Sequence, residues 1–252
     1  MYPIIFSYKF INVGSYGVSL GIGFYLGFLL FERELRMRGK DPELAYKLLL
    51  AAIPCGIIGS KIFHILEHLE DFYADPVGML FSGAGLSVIG GFLFAMLVIG
   101  IILKILKEDF LEIGDMVTPT LALGYCFGRF GCHASGDGCY GLETDSFMGI
   151  AYPNGIVPIS TNVYPTPLFE VFFSFIVFGL MLNLRKYEFK KGTLFFIYLI
   201  LYSLPRLLVE FIRRNPKMIL SFSQAQVVSI GMIIAGIIGL VYIYKFKKTA
   251  IT

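Results

Sequence analysis

An all-α integral membrane protein with about seven membrane-spanning helices is the fold this sequence predicts, and three observations carry the prediction. Of the 252 residues, 56% are hydrophobic and only 15% are charged, where ordinary soluble domains carry about 25% charged residues. Mean hydropathy is +0.75. Apolar stretches approach the roughly 20 residues that one helix needs to cross a bilayer, and they recur along the whole chain. This composition excludes a soluble enzyme. With no internal repeat, low-complexity tract or linker, residues 1–252 are expected to form a single polytopic membrane domain.

The N-terminal MYPIIFSYKFINVG lacks a basic region followed by a small-residue cleavage site, so the first apolar segment is expected to remain in the protein. The spans are predicted near 14–31, 48–66, 84–103, 113–128, 166–184, 193–212 and 223–244. The fourth is short, with Pro119 in its first turns and Gly124 and Gly128 at its end, and is expected to be partly broken. Connections are short except for a long outer loop, 129–165, rich in Gly, Pro, Ser, Thr, Asn and Cys. A loop longer than about 15 residues in a compact protein is usually functional or disordered.

Lys and Arg bias sets the orientation. Arg33, Arg36, Arg38, Lys40 and Lys47 follow the first span, Lys104 and Lys107 the third, and Arg185, Lys186, Lys190 and Lys191 the fifth, while Lys245, Lys247 and Lys248 end the chain. That side is predicted to be cytoplasmic, placing the N-terminus outside and the C-terminus in the cytoplasm. The outer side holds fewer cations: Lys9, Arg129, Arg206, Arg213, Arg214 and Lys217. Four of these crowd the end of the sixth span, a local violation of the bias that suggests a binding role for charge. The net charge of +3 is too small to argue for a nucleic-acid partner, and none is expected.

The densest chemical signal runs from Gly124 to Gly141, where Arg129 could bind a phosphate through its planar fork and Gly128, Gly131 and Gly141 would let a ligand approach the backbone. A lipid headgroup would fit; so would a Gly-rich turn from which Arg129 snorkels to the interface. Tyr202, Arg206 and Glu210 recur at i, i+4, i+8 and share one helix face. Three polar groups on a membrane helix normally face a protein interior or a hydrated cavity, although an Arg206–Glu210 bridge could serve only to tie helices together.

Other polar intrusions carry less. Tyr16 could donate to a lipid or join an interfacial aromatic belt. Lys61 is either a buried cation or a snorkelling one. His64 and His68, one turn apart with Glu67 beside them, could hold a metal, but no third ligand is evident and a solvated face is the expectation. Cys132, His133, Asp137 and Cys139 invite a zinc site or a Cys/His nucleophile pair. The spacing C-H-x3-D-x-C matches no strong zinc signature, so neither metal nor other cofactor is expected. The four cysteines, Cys55, Cys126, Cys132 and Cys139, are too few for a disulfide scaffold, and Cys132 with Cys139 could stand either bridged or as thiols.

Taken in order, these motifs resemble those of the prolipoprotein diacylglyceryl transferases of bacterial inner membranes, over nearly the whole chain. Tyr16-Gly17, Gly85-Leu86-Ser87-x2-Gly90-Gly91, Gly128-Arg129-x-Gly131, Pro165-x2-Leu168-Phe169-Glu170, Tyr202-x3-Arg206-x3-Glu210 and Ala225-Gln226 follow the family's order and approximate spacing. The resemblance implies transfer of a diacylglyceryl group from phosphatidylglycerol to the lipobox cysteine thiol of a prolipoprotein, releasing glycerol phosphate without a metal. It also implies a multi-pass protein of the inner (cytoplasmic) membrane with its active site toward the outer face. Arg129 and Arg206 match the family's essential arginines; Tyr16 and Tyr202 match tyrosines that would orient the headgroup; Glu210 matches the glutamate that positions Arg206. Asp137 looks like the counterpart of a family glutamate. Gly128, Gly131, Ser87, Gly90, Gly91, Gly141, Glu170 and Gln226 fall in blocks that would line the substrate.

Three departures mark a divergent member. Ile89 stands where the family usually has a histidine, Cys132 replaces an asparagine, and Tyr164 replaces a second histidine. The hypothesis for the missing base is His133 or Asp137; an unchanged rate and pH profile in His133→Ala would remove His133 from that role. Two alternatives stay open: a phosphatidylglycerol-using transferase with another acceptor, and a non-catalytic lipid-binding or transport protein.

Overall fold

The computed structural model describes residues 2–8, 11–81, 87–215, 217–219 and 222–246. Gly85, Leu86 and Lys9 therefore lie outside the described residues. A short hairpin of β1 (Ile4–Tyr8) and β2 (Ile11–Gly14) leads into helix α1 (Ser15–Met37), followed by α2 (Glu43–Glu67), the short α3 (Leu69–Ala74) and α4 (Pro76–Phe81), then α5 (Val88–Ile105) and α6 (Phe110–Ser135). Strands β3 (Ile150–Tyr152) and β4 (Ile159–Val163) pair antiparallel and precede α7 (Thr166–Leu184) and α8 (Thr193–Val209). A 3-10 turn (Glu210–Ile212), strands β5 (Lys217–Ile219) and β6 (Phe222–Ser223), and α9 (Gln224–Lys245) complete the order.

Among the described residues, five helices are long and apolar enough to cross a membrane: Ser15–Met37, Glu43–Glu67, Thr166–Leu184, Thr193–Ile212 and Gln224–Lys245. The protein is therefore a helical, multi-pass membrane protein. Within α5, Gly90–Ile105 is a shorter apolar helical stretch. Helix α6 is long enough, but Glu112, Asp115, Thr118, Thr120, Arg129 and His133 dilute its hydropathy.

The chain divides into two compact units, Met1–Phe31 with Gly114–Thr252, and Glu32–Ile113. In the larger unit, polar and small residues of the helices lie inside while large apolar ones face out, as expected where lipid tails replace water. Thr166, Ser174, Ser203 and Ser229 are buried; Phe172, Phe175, Leu204, Leu208, Ile237 and Ile238 are exposed. Ala122, Val177, Met181 and Tyr198 form the core between α6, α7 and α8. Helix α1 lies close against α6: a Cβ on Gly23 would stand 2.7 Å from Phe127 Cβ, and one on Gly27 3.0 Å from Thr120 Cγ2. The Ser19 hydroxyl donates to the Phe127 carbonyl at 2.6 Å across the same seam.

Helix α6 corrects two expectations. It is unbroken at Pro119, because the Thr118 hydroxyl donates at 2.9 Å to the Asp115 carbonyl, the acceptor that a proline four residues on leaves without its amide. It also continues to Ser135, so the residues read as the start of a glycine-rich outer loop at 129 are helical, and the loop begins at Gly136. Asp115 itself is buried and caps α8, accepting from Gly192 N at 2.6 Å and Phe195 N at 2.7 Å. A carboxylate there satisfies backbone donors that the first turn of a helix leaves open.

In the smaller unit α2 and α5 pack together through glycines. A Cβ on Gly90 would meet Phe63 Cβ at 2.2 Å, one on Gly91 would meet Ser60 Oγ at 2.2 Å, and one on Gly59 would meet Phe94 Cβ at 2.4 Å. Lys40 ties the loop after α1 to Glu108 at 2.6 Å and Glu112 at 3.2 Å.

Candidate active site

Arg129, near the C-terminal end of α6, and Arg206, in the last turn of α8, converge on one carboxylate from α7. Glu170, only 2% exposed, is ion-paired with both: Arg129 Nε lies 2.7 Å from Oε2, and Arg206 Nη1 donates to Oε1. Tyr125, one turn before Arg129, accepts from Arg129 Nε at 3.0 Å and lies under the guanidinium, 5.1 Å from its ring centroid. Tyr202, one turn before Arg206, meets the Tyr125 ring edge to face at 4.8 Å and stacks on Tyr198 at 5.8 Å. Two Tyr-x3-Arg turns on different helices thus share Glu170. Two guanidiniums against one carboxylate leave this group with a net positive charge of one, in surroundings where a buried charge strongly favours a counter-ion.

The expectation for Glu210 changes. Helix α8 ends at Val209 and Glu210 opens a 3-10 turn. Glu210 instead accepts from Ser223 Oγ at 2.8 Å and from Asn215 Nδ2, and faces Arg213 Nη1 at 3.6 Å. Arg206 is held by Glu170, not by Glu210. Gln226 belongs to the same construction: with Ser223 it forms a capping box at the start of α9, its amide oxygen accepting from Ser223 N at 2.9 Å while Ser223 Oγ accepts from Gln226 N at 3.3 Å. The Ser-x2-Gln spacing was the available signal. Three of the four cations crowding the end of the sixth span are paired here, Arg206 with Glu170, Arg213 with Glu210 and Arg214 with Glu143 at 3.1 Å, and the side chain of Lys217 lies outside the described residues.

Tyr16 enters from α1 beside Gly131, where an added Cβ would lie 3.1 Å from Tyr16 Cδ2. It stands within electrostatic reach of Arg129, Cys132, Asp137 and Cys139. Beside Gly128 an added Cβ would meet nothing within 4 Å, so that side of α6 is open. His133 accepts or donates through Nδ1 to the Tyr152 hydroxyl at 3.0 Å, with the two rings edge to face. Burial holds the Tyr152 phenol above its ordinary range. Gly141 is enclosed: an added Cβ would sit 2.4 Å from the Ile212 carbonyl, and its own amide donates to Tyr164 O at 2.8 Å. Ser87, Gly90 and Gly91 belong to the smaller unit, where Ser87 N donates to Ser60 O at 3.1 Å and both glycines serve the α2–α5 contact. The side chain of Ile89 lies outside the described residues.

Two clusters of metal-ligating groups are assembled among the described residues. His64, Glu67 and His68 bring their ligand atoms within 4.8 Å of one another, so Glu67 supplies the third donor that the sequence left without an assignment; Cys132, Asp137 and Cys139 do the same in the larger unit. All four cysteines are thiols.

The helical, lipid-facing fold and the buried pair of arginines on one glutamate define a multi-pass membrane protein with a buried cluster of net positive charge. A sequence profile of the prolipoprotein diacylglyceryl transferase family matches residues 3–242. The chain belongs to that family. A phosphatidylglycerol–prolipoprotein diacylglyceryl transferase of Leptospira interrogans serogroup Icterohaemorrhagiae serovar copenhageni is 30% identical over 299 residues, covering 98% of this chain and 93% of the relative. A Clostridium perfringens protein named as the second such transferase is 33% identical over 94% of this chain and 92% of its own length. A Clostridium botulinum relative of the same name is 33% identical over 98% of this chain and 99% of its own.

Proposed function

We propose that the protein transfers a diacylglyceryl group from phosphatidylglycerol to the cysteine thiol of a prolipoprotein lipobox and releases glycerol phosphate. The observation that carries this reading is Glu170 between Arg129 and Arg206. The excess charge of one matches the single negative charge of a phosphodiester, and planar guanidiniums suit its oxygens. Attack by the thiolate sulfur on the glyceryl carbon forms a C–S bond and breaks the C–O bond to phosphate. The leaving phosphate carries away the electron pair, and the two arginines stabilise the charge that develops on it. Tyr125 and Glu170 hold Arg129 in place; Tyr202 supports Tyr125; Tyr16 reaches the headgroup from α1, and the open side at Gly128 admits it. Asp137 takes part in activating the thiol, while Glu210 and Gln226 secure the end of α8 against α9.

In this reading α5 and α6 also cross the membrane, giving seven spans with the N-terminus outside and the C-terminus in the cytoplasm. The whole of residues 1–252 acts as one polytopic unit in the cytoplasmic membrane, and the site opens toward its outer face. The Lys and Arg bias supports that orientation.

Mass spectrometry of a lipobox peptide incubated with purified protein in phosphatidylglycerol vesicles tests the reading, beside Arg129→Ala and Arg206→Ala. A diacylglyceryl adduct on the peptide cysteine, stoichiometric glycerol phosphate, and loss of both in the variants are expected. Consumption of the lipid without an adduct would assign another acceptor. Intact lipid with an active family control would make the protein a binder or carrier.

A further inference from the structure

The last turn of α2 carries a group of side chains that the transfer chemistry leaves unused. His64-x2-Glu67-His68 sets three candidate ligands at i, i+3 and i+4, positions that share one helix face, and their ligand atoms all lie within 4.8 Å of one another. The two imidazole rings lie against each other, with centroids 4.4 Å apart and planes inclined by 39°. His68 Nδ1 stands 3.1 Å from the His64 carbonyl oxygen. A carbonyl only accepts, so Nδ1 carries the proton, and the lone pair of the neutral His68 ring is on Nε2. A histidine that ligates a metal is ordinarily supported in this way: its other nitrogen donates to a backbone carbonyl or a carboxylate, which fixes both the tautomer and the direction of the ring. His64 is half-buried, while Glu67 and His68 are exposed, so an ion can reach them from water.

We propose that His64, Glu67 and His68 bind one zinc-type divalent ion whose coordination is completed by water. Two imidazole nitrogens and a carboxylate oxygen are a donor set that such an ion accepts, and His-x2-Glu-His on a helix is a spacing that presents two imidazoles from successive turns to one zinc. Bonds of about 2.0–2.1 Å put ligand atoms on a tetrahedral ion about 3.3 Å apart. Small rotations of the exposed Glu67 and His68 side chains are enough to close the present arrangement to that spacing.

The bend in the chain tells what the ion does. His68 leaves helical geometry, with φ −135° and ψ 53°, so that α2 ends and the short α3 begins across a single residue. Its amide donates to the Ile65 carbonyl, and among the described residues no side-chain hydrogen bond caps the start of α3. An ion that ties His68 back to His64 and Glu67 locks this bend. The cluster belongs to the smaller unit and the arginine clamp to the larger one, and the ion takes no part in the transfer proposed above.

The test uses untagged protein in detergent, freed of metal by chelation and titrated with Zn2+ by calorimetry. Cys132→Ser/Cys139→Ser serves as the background, so that thiols do not compete for the probe. One ion per chain is expected. His64→Ala and His68→Ala on that background should each weaken affinity at least about tenfold, since loss of a supporting contact alone costs that much, and Glu67→Gln should weaken it as well. No binding, or binding unchanged in both histidine variants, would overturn the site. Hydrogen exchange on the parent protein needs no cysteine substitution. Zn2+ should slow amide exchange across residues 65–75 in the parent and leave it unchanged in His64→Ala/His68→Ala. Exchange equally fast with and without Zn2+ in the parent, while calorimetry reports a bound ion, would overturn the locking of the bend and leave the binding site standing.

Discussion

Tyr125 and Tyr202 meet edge to face with ring centroids 4.8 Å apart, each one turn before an arginine that reaches Glu170. The contact sets the spacing of α6 and α8 at the point where their guanidiniums converge. It is a rigid spacer, because an aromatic ring has few torsions to freeze and edge-to-face pairs have a defined geometry. Tyr125→Phe keeps the ring contact and removes the hydroxyl that Arg129 Nε donates to. A hydrogen bond to a charged group contributes about 1.5–3 kcal/mol, so kcat/KM for phosphatidylglycerol should fall at least about tenfold. Tyr125→Leu, which also removes the spacer, should lose more; equal rates in Tyr125→Phe and the parent protein would show that the hydroxyl does not position Arg129.

Glu170→Gln should be the most damaging single-atom change near the site. It leaves two buried guanidiniums facing each other without their shared carboxylate, and breaking a buried charge pair costs about 3–5 kcal/mol. Transfer should fall by at least about 100-fold, and thermal unfolding in detergent should come at lower temperature. Glu170→Asp, with the charge kept and the reach shortened, should fall between. Parent-like transfer in Glu170→Gln would remove Glu170 from the arginine clamp.

Ser223→Ala removes both the cap of α9 and the hydrogen bond to Glu210. A lost cap costs about 1 kcal/mol and a lost hydrogen bond to a charged group about 1.5–3 kcal/mol. A fall in the melting temperature is expected, partly recovered by Ser223→Thr. An unchanged melting temperature would mean that the cap and the link to Glu210 carry no stability.

Gly138→Ala places a Cβ on a residue at φ +89° and 3.2 Å from Val157 Cγ2. A non-glycine residue held in such a conformation costs about 1–3 kcal/mol. The turn should open, and limited proteolysis should cut near residue 138 in the variant at protease levels that spare the parent protein. Equal resistance in both would show that the turn accommodates the side chain.

Lys40 gives a pH signature. Burial lowers its pKa, but the hydrogen bonds to Glu108 and Glu112 outweigh burial, and the amine is held above its ordinary value of 10.5. A raised folded value means that the stabilisation is complete below the unfolded value and is lost as pH rises through the folded one. Lys40→Met should therefore melt below the parent protein at pH 7 to 9, with the gap closing above about pH 10.5. A gap that persisted undiminished well into the alkaline range would show that packing of the lysine stem, not its charge, holds the loop.

Much of this was legible in the sequence because membrane helices announce themselves by apolar length and because buried charge is conspicuous among apolar residues. Arg129 and Arg206 stood out for that reason, and they do converge. The Glu170 clamp did not stand out: its carboxylate comes from a third helix, and sequence spacing reports neighbours along one helix only. The same limit hid the partners of Glu210, which come from Asn215 and Ser223 beyond the helix. Tyr125 had a readable signal in the Tyr-x3-Arg spacing it shares with Tyr202. The stretch from Gly128 to Ser135 misled in the other direction: glycine is a turn former in water, yet here Gly131 lies inside a helix and admits Tyr16 and Ser19.

The glycines that face α6 from α1 have a bearing on traffic. With Gly23 against Phe127 at a contact that would not accommodate an added methyl group unless something shifts, and Gly27 closely packed against Thr120, these two helices are joined like a welded seam. An acyl chain about 4 Å across cannot part them without breaking that contact. A lipid bound for Arg129 and Arg206 must come in by another side of the larger unit, and its spent headgroup must leave the same way or straight to water. Widening the seam with bulk at Gly23 would thus harm the fold without opening a door.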